Sequence, residues 1–294
     1  MFKYSIYIFL CLLIACESPK EKSHGTIKID TMSIYADPSW APLLKEWQST
    51  YEALNSHQRF KLLTLPELEV SRAFFHDSAR LVFMSRGLNS NEKDYLTSKK
   101  RFIDVDTVAY DAIALIVSSS FQDSTITWRE LQQWYQTGTI KGKQISIGVN
   151  MDGGAIPYFL ETQLGKPNSV KHLYVGGSDE QLLASVKSGE LPAAFISSYL
   201  ISNQKNASHQ DNLKKIKVLG IVSEGKDGAF WPVQEHIYSG LYPLVRPLVY
   251  YNYDRKDGIG TAFVAFIRHE RGQRIVLKSG LLPHDMPARI VSLQ

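Results

Sequence analysis

The sequence predicts an α/β protein of two lobes with a cleft between them. In the first third of the chain, strand-like segments alternate with amphipathic helices, which is the pattern of a parallel sheet flanked by helices. Two longer strand-like segments, at 108–117 and 242–253, divide the rest into an outer pair of segments and a central block. This arrangement predicts two lobes joined by two crossing strands, and ligands in such sheets bind where strands end and helices begin.

Length and composition are those of a globular protein. The chain has 294 residues, of which 44% are apolar and 21% are charged, so a disordered chain and a collagen-like repeat are excluded. Its 33 basic and 29 acidic residues give a formal net charge of +4, and no five basic residues stand in a row. We therefore expect no dedicated nucleic-acid-binding function.

The N-terminus has the features of a bacterial lipoprotein signal. Lys3 precedes an apolar run at 4–15, which is too short for a transmembrane helix of about 20 residues. The run ends Leu-Ile-Ala-Cys, the pattern at which a lipoprotein is cleaved and its new first cysteine lipidated. We therefore predict that residues 1–15 are a signal peptide and that Cys16 carries the lipid. An ordinary secretory signal, or a buried helix with incidental cysteines, is the alternative.

Cleavage before Cys16 would determine which cysteines the mature chain keeps and how it begins. Cys11 leaves with the signal, so one cysteine remains; no disulfide can form, and no thiol is free for catalysis or metal binding. Residues 16–25 are polar and lack periodicity, which predicts a flexible tether between the lipid and the folded part. We expect the protein in the cell envelope, lipid-anchored and facing the periplasm, with no other contact to the membrane.

The first lobe is predicted to begin with a strand at 26–35. Asp37 and Pro38 follow as an N-cap and an N1 proline, and apolar residues at 3.6-residue spacing predict a helix at about 39–55. The strand at 79–85 contains an unbroken apolar run, as in strands buried on both faces. The other elements predicted before residue 100 are a strand at 60–65, a helix at 67–76 and a helix capped by Asn89 and Glu92.

The alternation continues through the central block. Thr127 with Glu130, and Ser178 with Gln181, predict the starts of two helices. Pro247 within the second long strand marks a sheet edge or a crossing. Further strands are predicted at 145–149, 193–196 and 218–222, and further helices at 155–164, 261–269 and 271–278.

The two long strands also give the predicted lobe boundaries. Lobe 1 comprises residues 26–109 and 247–294, and lobe 2 comprises residues 110–246. The long strands are expected to act as a hinge between the lobes.

Motifs of common enzyme classes are missing. The eight histidines include no His-x-x-x-His or His-Glu-x-x-His pair, so a zinc site has little support. There is no Gly-x-Ser-x-Gly elbow, no Walker loop and no Gly-x-Gly-x-x-Gly fingerprint. We therefore expect no catalysis, no metal and no cofactor. A hydrolase is an alternative with no motif behind it.

Three corners between a strand and a helix have the chemistry to hold an anion. They stand at 37–40, 85–87 and 150–155. Each offers unpaired backbone N–H groups at the positive end of a helix, and Arg86 adds a bidentate donor. Such caps occur in every α/β protein, and Arg86 can equally pair with a surface acid. The residues alone therefore leave anion binding open.

Five segments carry a resemblance to a known family. The first reads Ser-Ile-Tyr-Ala-Asp-Pro-Ser-Trp-Ala-Pro-Leu at 33–43, and the others lie at 77–86, 110–117, 242–247 and 271–283. In these segments the sequence resembles the phosphate-binding subunits of ABC transporters, the PstS-like branch of the periplasmic binding proteins, in their Bacteroidetes lipoprotein form. The resemblance implies a periplasmic-binding-protein fold, two doubly wound sheets joined by two crossing strands that close over a dehydrated oxyanion.

The resemblance also assigns site residues by position. It places Ser39 and Trp40 at the helix start that holds phosphate, and Ser85 and Arg86 on the family's Ser/Thr-Arg pair. The opposing helix start falls on Asp152, Gly153 and Gly154. Arg246, in a matched segment near the hinge, is expected to be structural.

The opposing helix start departs from the family pattern. The family has hydroxyl side chains where Gly153, Gly154 and Ala155 stand, and losing two such donors weakens phosphate binding by about one to four decades. Asp152 would repel a dianion if it faced the ligand, but is harmless if it caps its own helix.

The resemblance implies a monomeric solute-binding protein that passes phosphate or a similar small oxyanion to an ABC transporter permease. The alternative is a degenerate member that has lost its ligand and acts as an envelope scaffold or sensor.

Overall fold

The computed structural model describes residues 29–100, 102–150, 155–203 and 205–287. The predicted signal peptide at 1–15, Cys16 and the tether at 16–25 lie outside this part of the chain. Asp152, Gly153 and Gly154 also lie outside it. What the sequence predicts for these residues stays a prediction.

The first part of the chain alternates strands and helices, as the sequence predicts. In chain order its elements are β1 (Asp30–Ala36), α1 (Ala41–Leu54), β2 (Gln58–Thr64), α2 (Glu67–Phe75), β3 (Leu81–Met84), α3 (Ser90–Ser98) and β4 (Asp104–Ser118). A 3-10 turn at Pro38–Trp40 leads directly into α1.

The central block adds shorter elements. They are β5 (Thr125–Thr127), α4 (Trp128–Thr137), β6 (Thr139–Ile140), β7 (Lys143–Gln144), β8 (Ile147–Asn150), α5 (Ala155–Leu164), β9 (Leu173–Gly176), α6 (Asp179–Ser188), β10 (Ala193–Ser197), α7 (Tyr199–Ser202), α8 (Ala207–Lys215), β11 (Ile216–Val218), β12 (Gly220–Val222) and α9 (Gln234–Tyr238). The chain then returns through β13 (Val245–Asn252), α10 (Ile259–Arg268), α11 (Glu270–Ser279) and β14 (Leu282–Pro283).

A continuous sheet passes through both lobes. Its main order is β2-β1-β3-β13-β4-β10-β8-β9, and β11 and β14 also pair with β4. Strand β1 runs parallel to β2 and β3, whereas β13 is antiparallel to β3 and β4. Residues 104–112 of β4 pair with β13, while residues 113–117 pair with β10. A two-lobed α/β fold, with long strands crossing between the lobes, is therefore confirmed.

Each lobe has its own hydrophobic core. In the first, Trp47 and Tyr51 of α1 pack with Phe83 of β3 and with residues of β13 and α10. In the second, Trp134 of α4 and Leu160 of α5 pack against the other half of the sheet. Charged side chains are nevertheless buried beside these cores, among them Asp37, Asp111, Asp179 and Arg246.

Helix boundaries follow the predicted signals. Asn89 with Glu92 at α3, and Thr127 with Glu130 at α4, form complete capping boxes. At α6 the Ser178 side chain accepts a hydrogen bond from a first-turn amide. These caps fix where each helix starts relative to the strand before it.

Pro247 lies where β13 pairs with β4 on one side only. Pairing with β3 begins two residues later, at Val249, after a register shift. A proline, which has no amide to donate, is tolerated at such a position. The prediction of an edge or crossing at Pro247 is confirmed.

Two parts of the sequence prediction need correction. Residues 218–222 are two strands, because β11 pairs with β4 whereas β12 pairs with β5, and an apolar run does not reveal a change of partner. The sequence also does not predict the strands β5, β6, β7, β9 and β14, nor the helices α7, α8 and α9. Helices α7 and α9 have four and five residues, and α8 is almost wholly polar, so none of the three shows apolar periodicity.

Candidate functional site

The first predicted corner is built around Asp37 and Trp40. The Asp37 carboxylate caps the 3-10 turn: its Oδ1 accepts the amide of Ser39 at 2.9 Å and also the Ser39 hydroxyl. The Trp40 side chain is buried, and its indole N–H donates to Ser85 Oγ at 2.7 Å. That bond joins the start of α1 to the end of β3.

At the second corner the Arg86 guanidinium pairs with acids of its own lobe. Its Nη1 and Nη2 donate to the two carboxylate oxygens of Glu92 at 2.7 and 2.8 Å, and its Nε lies 3.4 Å from Glu67 Oε1. Hydrogen bonding to Glu92 raises the pKa of Arg86. The two guanidinium nitrogens of Arg86 that the sequence offers to an oxyanion therefore bind the Glu92 carboxylate in this structure.

A second arginine lies buried at the junction of the lobes. Arg246 of β13 is opposite Asp111 of β4 in the sheet register, and its Nε and Nη2 donate to Asp111 Oδ2 at 3.0 and 2.8 Å. Its guanidinium lies over the Trp40 ring, 4.6 Å from the centroid, and its Nη1 is 3.5 Å from Ser85 Oγ. Arg246, expected to be structural, thus borders the site beside Ser85.

The second lobe contributes polar groups from β8, α6 and β10. Asp179 is buried at the start of α6, where its carboxylate accepts the Asn150 side-chain amide at 3.0 Å and the Ser197 backbone amide at 2.7 Å. Burial raises the pKa of Asp179 to about 6. A cavity of about 50 Å³ lies between Ser39 and these residues.

Asp37 is one of the points at which the two lobes meet; the Tyr199 hydroxyl, which donates to Glu46 Oε1 at 2.7 Å, is another. Asp37 Oδ2 accepts the backbone amide of Ala155, the first residue of α5, at 3.3 Å. Burial raises the pKa of Asp37 to about 6; nearby Arg246 opposes this rise and Glu67 adds to it. One carboxylate therefore receives donors from the starts of helices in both lobes.

Carboxylates outnumber guanidinium groups at this junction. Arg246 interacts electrostatically with Asp37, Glu67 and Asp179, in addition to its ion pair with Asp111. Burial also raises the pKa of Glu67. The junction is therefore a buried network of charges rather than a simple positive pocket.

The structure brings together Ser39, Trp40 and Ser85, three of the predicted site residues. Sequence reasoning missed Arg246 and Asp111 as partners, although the signal was present. Each is the lone charge in an apolar stretch of strand, and a charge buried in a sheet requires an opposite charge nearby.

Comparisons with known proteins identify the family to which this fold belongs. The model of the PBP superfamily domain matches residues 21–271. The chain belongs to the PBP superfamily, the periplasmic binding proteins. The recognition made from the sequence is thereby confirmed at the level of the family. A search of curated protein sequences found no significant match.

Solved structures with this fold include phosphate-binding proteins. A Clostridium perfringens protein assigned as a phosphate ABC transporter substrate-binding protein, with bound phosphate, has a TM-score of 0.71 at 16% identity, over 87% of this chain and all of that one. An ABC-type phosphate transport receptor from Vibrio cholerae gives 0.66 at 18%, over 87% of this chain and 100% of its own. The regulatory domain of CcmR from Synechocystis gives 0.54 at 9%, over 88% and 99%. At these identities the likeness concerns the fold.

The described part of the chain contains neither a membrane-spanning helix nor a metal-binding cluster. Among those residues, every helix is too short or too polar to span a bilayer. The same residues contain no group of three or more His, Cys, Asp or Glu side chains able to hold a metal ion.

Proposed function

We propose that this protein is a lipid-anchored solute-binding protein that captures phosphate or a similar small oxyanion between its lobes and delivers it to an ABC transporter permease. The observation that carries the proposal is the convergence of donors from both lobes on one position. The amides of Ser39 and Ala155, the Ser39 hydroxyl and the charge of Arg246 all act on the single carboxylate of Asp37.

A carboxylate is itself an oxyanion, so the junction has donors suited to one. Helix-start amides bind anions through their free N–H groups and the helix dipole. Ser85 adds a hydroxyl next to them, oriented by the Trp40 indole. Arg246 supplies a cation through its Nη1, 3.5 Å from Ser85 Oγ, while its Nε and Nη2 stay bound to Asp111. Arg86 would have to leave Glu92 to reach the same place. Asp152, Gly153 and Gly154 remain our proposed ligands on the opposing side.

Fold relatives support the choice of ligand. The Clostridium perfringens structure contains phosphate, and the Vibrio cholerae protein is a phosphate transport receptor. In our proposal the lobes comprise residues 26–109 with 247–294 and residues 110–246, and the anion binds between them. The lipid on Cys16 and the periplasmic location complete the proposal, and both rest on the N-terminal sequence.

Calorimetry tests this function. Phosphate, sulfate and a set of sugars would be titrated into protein that has been unfolded and refolded to remove bound ligand. We expect heat with at least one oxyanion and none with the sugars. Ser39→Ala should weaken binding by about tenfold or less, since the helix-start amides remain. Absence of binding to every oxyanion at millimolar concentration would contradict the proposal.

A second function is favoured by the charges of the junction. The Asp37 carboxylate already accepts hydrogen bonds from the amides of Ser39 and Ala155, and carboxylates outnumber arginines around it. A chain of this kind could serve as an envelope scaffold or sensor without a phosphate ligand. In the calorimetry, this function predicts no heat with phosphate or sulfate from a protein that is fully folded by circular dichroism.

A further inference from the structure

The Asp37 carboxylate accepts the hydrogen bonds that a bound anion would accept at the same place. The Asp37 side chain has no solvent exposure, although it belongs to a short turn rather than to the interior of a strand or helix. One carboxylate oxygen accepts from Ser39 in the first lobe, and the other accepts from Ala155, 118 positions later in the chain. A residue that only capped its own turn would need the first of these contacts and not the second.

The donors that Asp37 occupies are those an incoming oxyanion needs. An external anion cannot accept from the Ser39 and Ala155 amides while the Asp37 oxygens hold them. An ionised carboxylate also repels a second anion at contact distance, and this repulsion is strong where water is excluded. Asp37 and the anion therefore compete for one place.

We propose that Asp37 is an intramolecular competitor for the oxyanion: its carboxylate ties the two lobe-facing helix starts together, and an external anion binds only when this carboxylate is displaced or protonated. The inference rests on the proposed function, since it concerns the same site. It adds a residue that sets both the affinity of the cleft and the closure of the lobes.

Charged groups around Asp37 determine how it responds to pH. Arg246 faces it from β13 and favours the ionised form, while Glu67 faces it from the start of α2 and disfavours that form. Asp111 on β4 is bound to Arg246, and Asp179 on α6 interacts with both Arg246 and Asp111. Because the pKa of Asp37 is raised to about 6, the competing carboxylate is ionised at pH 8 and partly neutral at pH 5.5.

The binding test compares the parent protein with Asp37→Asn, in full-length protein purified in detergent. Asparagine is a good N-cap, so the turn before α1 should survive the change. Sulfate is the probe, because it keeps its double charge across this pH range; phosphate is titrated alongside. We expect sulfate affinity of the parent to fall about tenfold or more from pH 5.5 to 8. At pH 8 the variant should bind both anions about tenfold or more tightly than the parent.

The closure test needs no anion. Spin labels at Ser49→Cys on α1 and Tyr158→Cys on α5, both exposed positions, report the separation of the two helices. The distance in anion-free protein should lengthen in Asp37→Asn relative to the parent. Asp179→Asn is the matched control, because it removes a buried carboxylate whose bonds, to Asn150 and Ser197, stay within the second lobe. It should leave the label distance unchanged.

The outcomes separate this inference from the proposed function. If the parent binds phosphate and Asp37→Asn binds it no more tightly, Asp37 is not a competitor, although the proposed function stands. If neither protein binds an oxyanion, the proposed function fails, and the labels still decide the tie between the lobes. If the distance between the spin labels is unchanged in Asp37→Asn, Asp37 does not hold the two lobes together.

Discussion

Buried charges at the lobe junction depend on one another residue by residue. Arg246 is fully buried and makes two hydrogen bonds to Asp111, which is also fully buried. Removing one member of such a pair leaves the other charged and without its partner, whereas replacing both removes the desolvation cost as well. The stability of this junction therefore depends on Arg246 and Asp111 together.

Arg246→Met should lower the free energy of unfolding by about 3–5 kcal/mol, because Asp111 is left as an unpaired buried charge. The double variant Arg246→Met with Asp111→Leu should recover much of that loss. Urea unfolding of the parent, both single variants and the double variant gives the coupling free energy. Strictly additive effects would show that the pair does not act as a unit.

Protonation of Asp37 should be visible in folding stability. Its pKa is about 6 in the folded protein against an ordinary value of 3.8, so the folded state holds the proton more tightly than the unfolded state. Its contribution is fully present below pH 3.8 and is lost as pH rises through about 6.

We therefore expect the slope of the unfolding free energy against pH, between pH 4.5 and 7, to be more negative in the parent than in Asp37→Asn. Asp179, with the same direction of shift, leaves a residual negative slope in that variant. Equal slopes in the two proteins would mean that Asp37 titrates normally.

At the scale of elements, two helices end at similar glycines in different surroundings. Helices α4 and α6 both end at a glycine in the left-handed conformation, Gly138 at φ +74° and Gly189 at φ +81°. The surroundings differ: a Cβ on Gly138 would lie 2.5 Å from the Cβ of His172, while one on Gly189 would meet nothing within 4 Å. Comparing substitutions at the two glycines therefore separates the cost of backbone strain from the cost of side-chain crowding.

Gly189→Ala should cost about 1–2 kcal/mol, which is the backbone strain alone. Gly138→Ala should cost about 1–3 kcal/mol more, because the packing around His172 must also shift. Thermal or urea unfolding of the two variants measures the difference. Equal losses would show that the crowding at Gly138 relaxes at no cost.

For the whole molecule, the sequence predicts what depends on local pattern. The helix starting after Asp37-Pro38 and the capping boxes at Asn89 and Thr127 are local signals, and the structure has them. The ion pair of Arg246 with Asp111 joins residues 135 positions apart and depends on the register of two strands, which no local pattern gives. The contact between Asp37 and Ala155 arises in the same way, from the approach of the two lobes.

Anchoring is a property of the whole molecule that the N-terminal sequence predicts. Cys16→Ala should abolish lipidation and leave an uncleaved or soluble form. Membrane fractionation with a mass measurement of the product checks this. A mature-sized, acylated protein in the membrane fraction of the variant would contradict the lipoprotein prediction.

The central claim, that an oxyanion binds between the lobes, is tested most directly by locating one. Crystals grown with arsenate, a heavier analogue of phosphate, would show arsenic by its anomalous scattering. Our account predicts an arsenic peak placed so that arsenate oxygens lie within hydrogen-bonding distance of Ser39 and Ser85, facing the start of α5, with Asp37 moved away from the Ala155 amide. Arsenic found only at surface sites, at saturating arsenate, would contradict it.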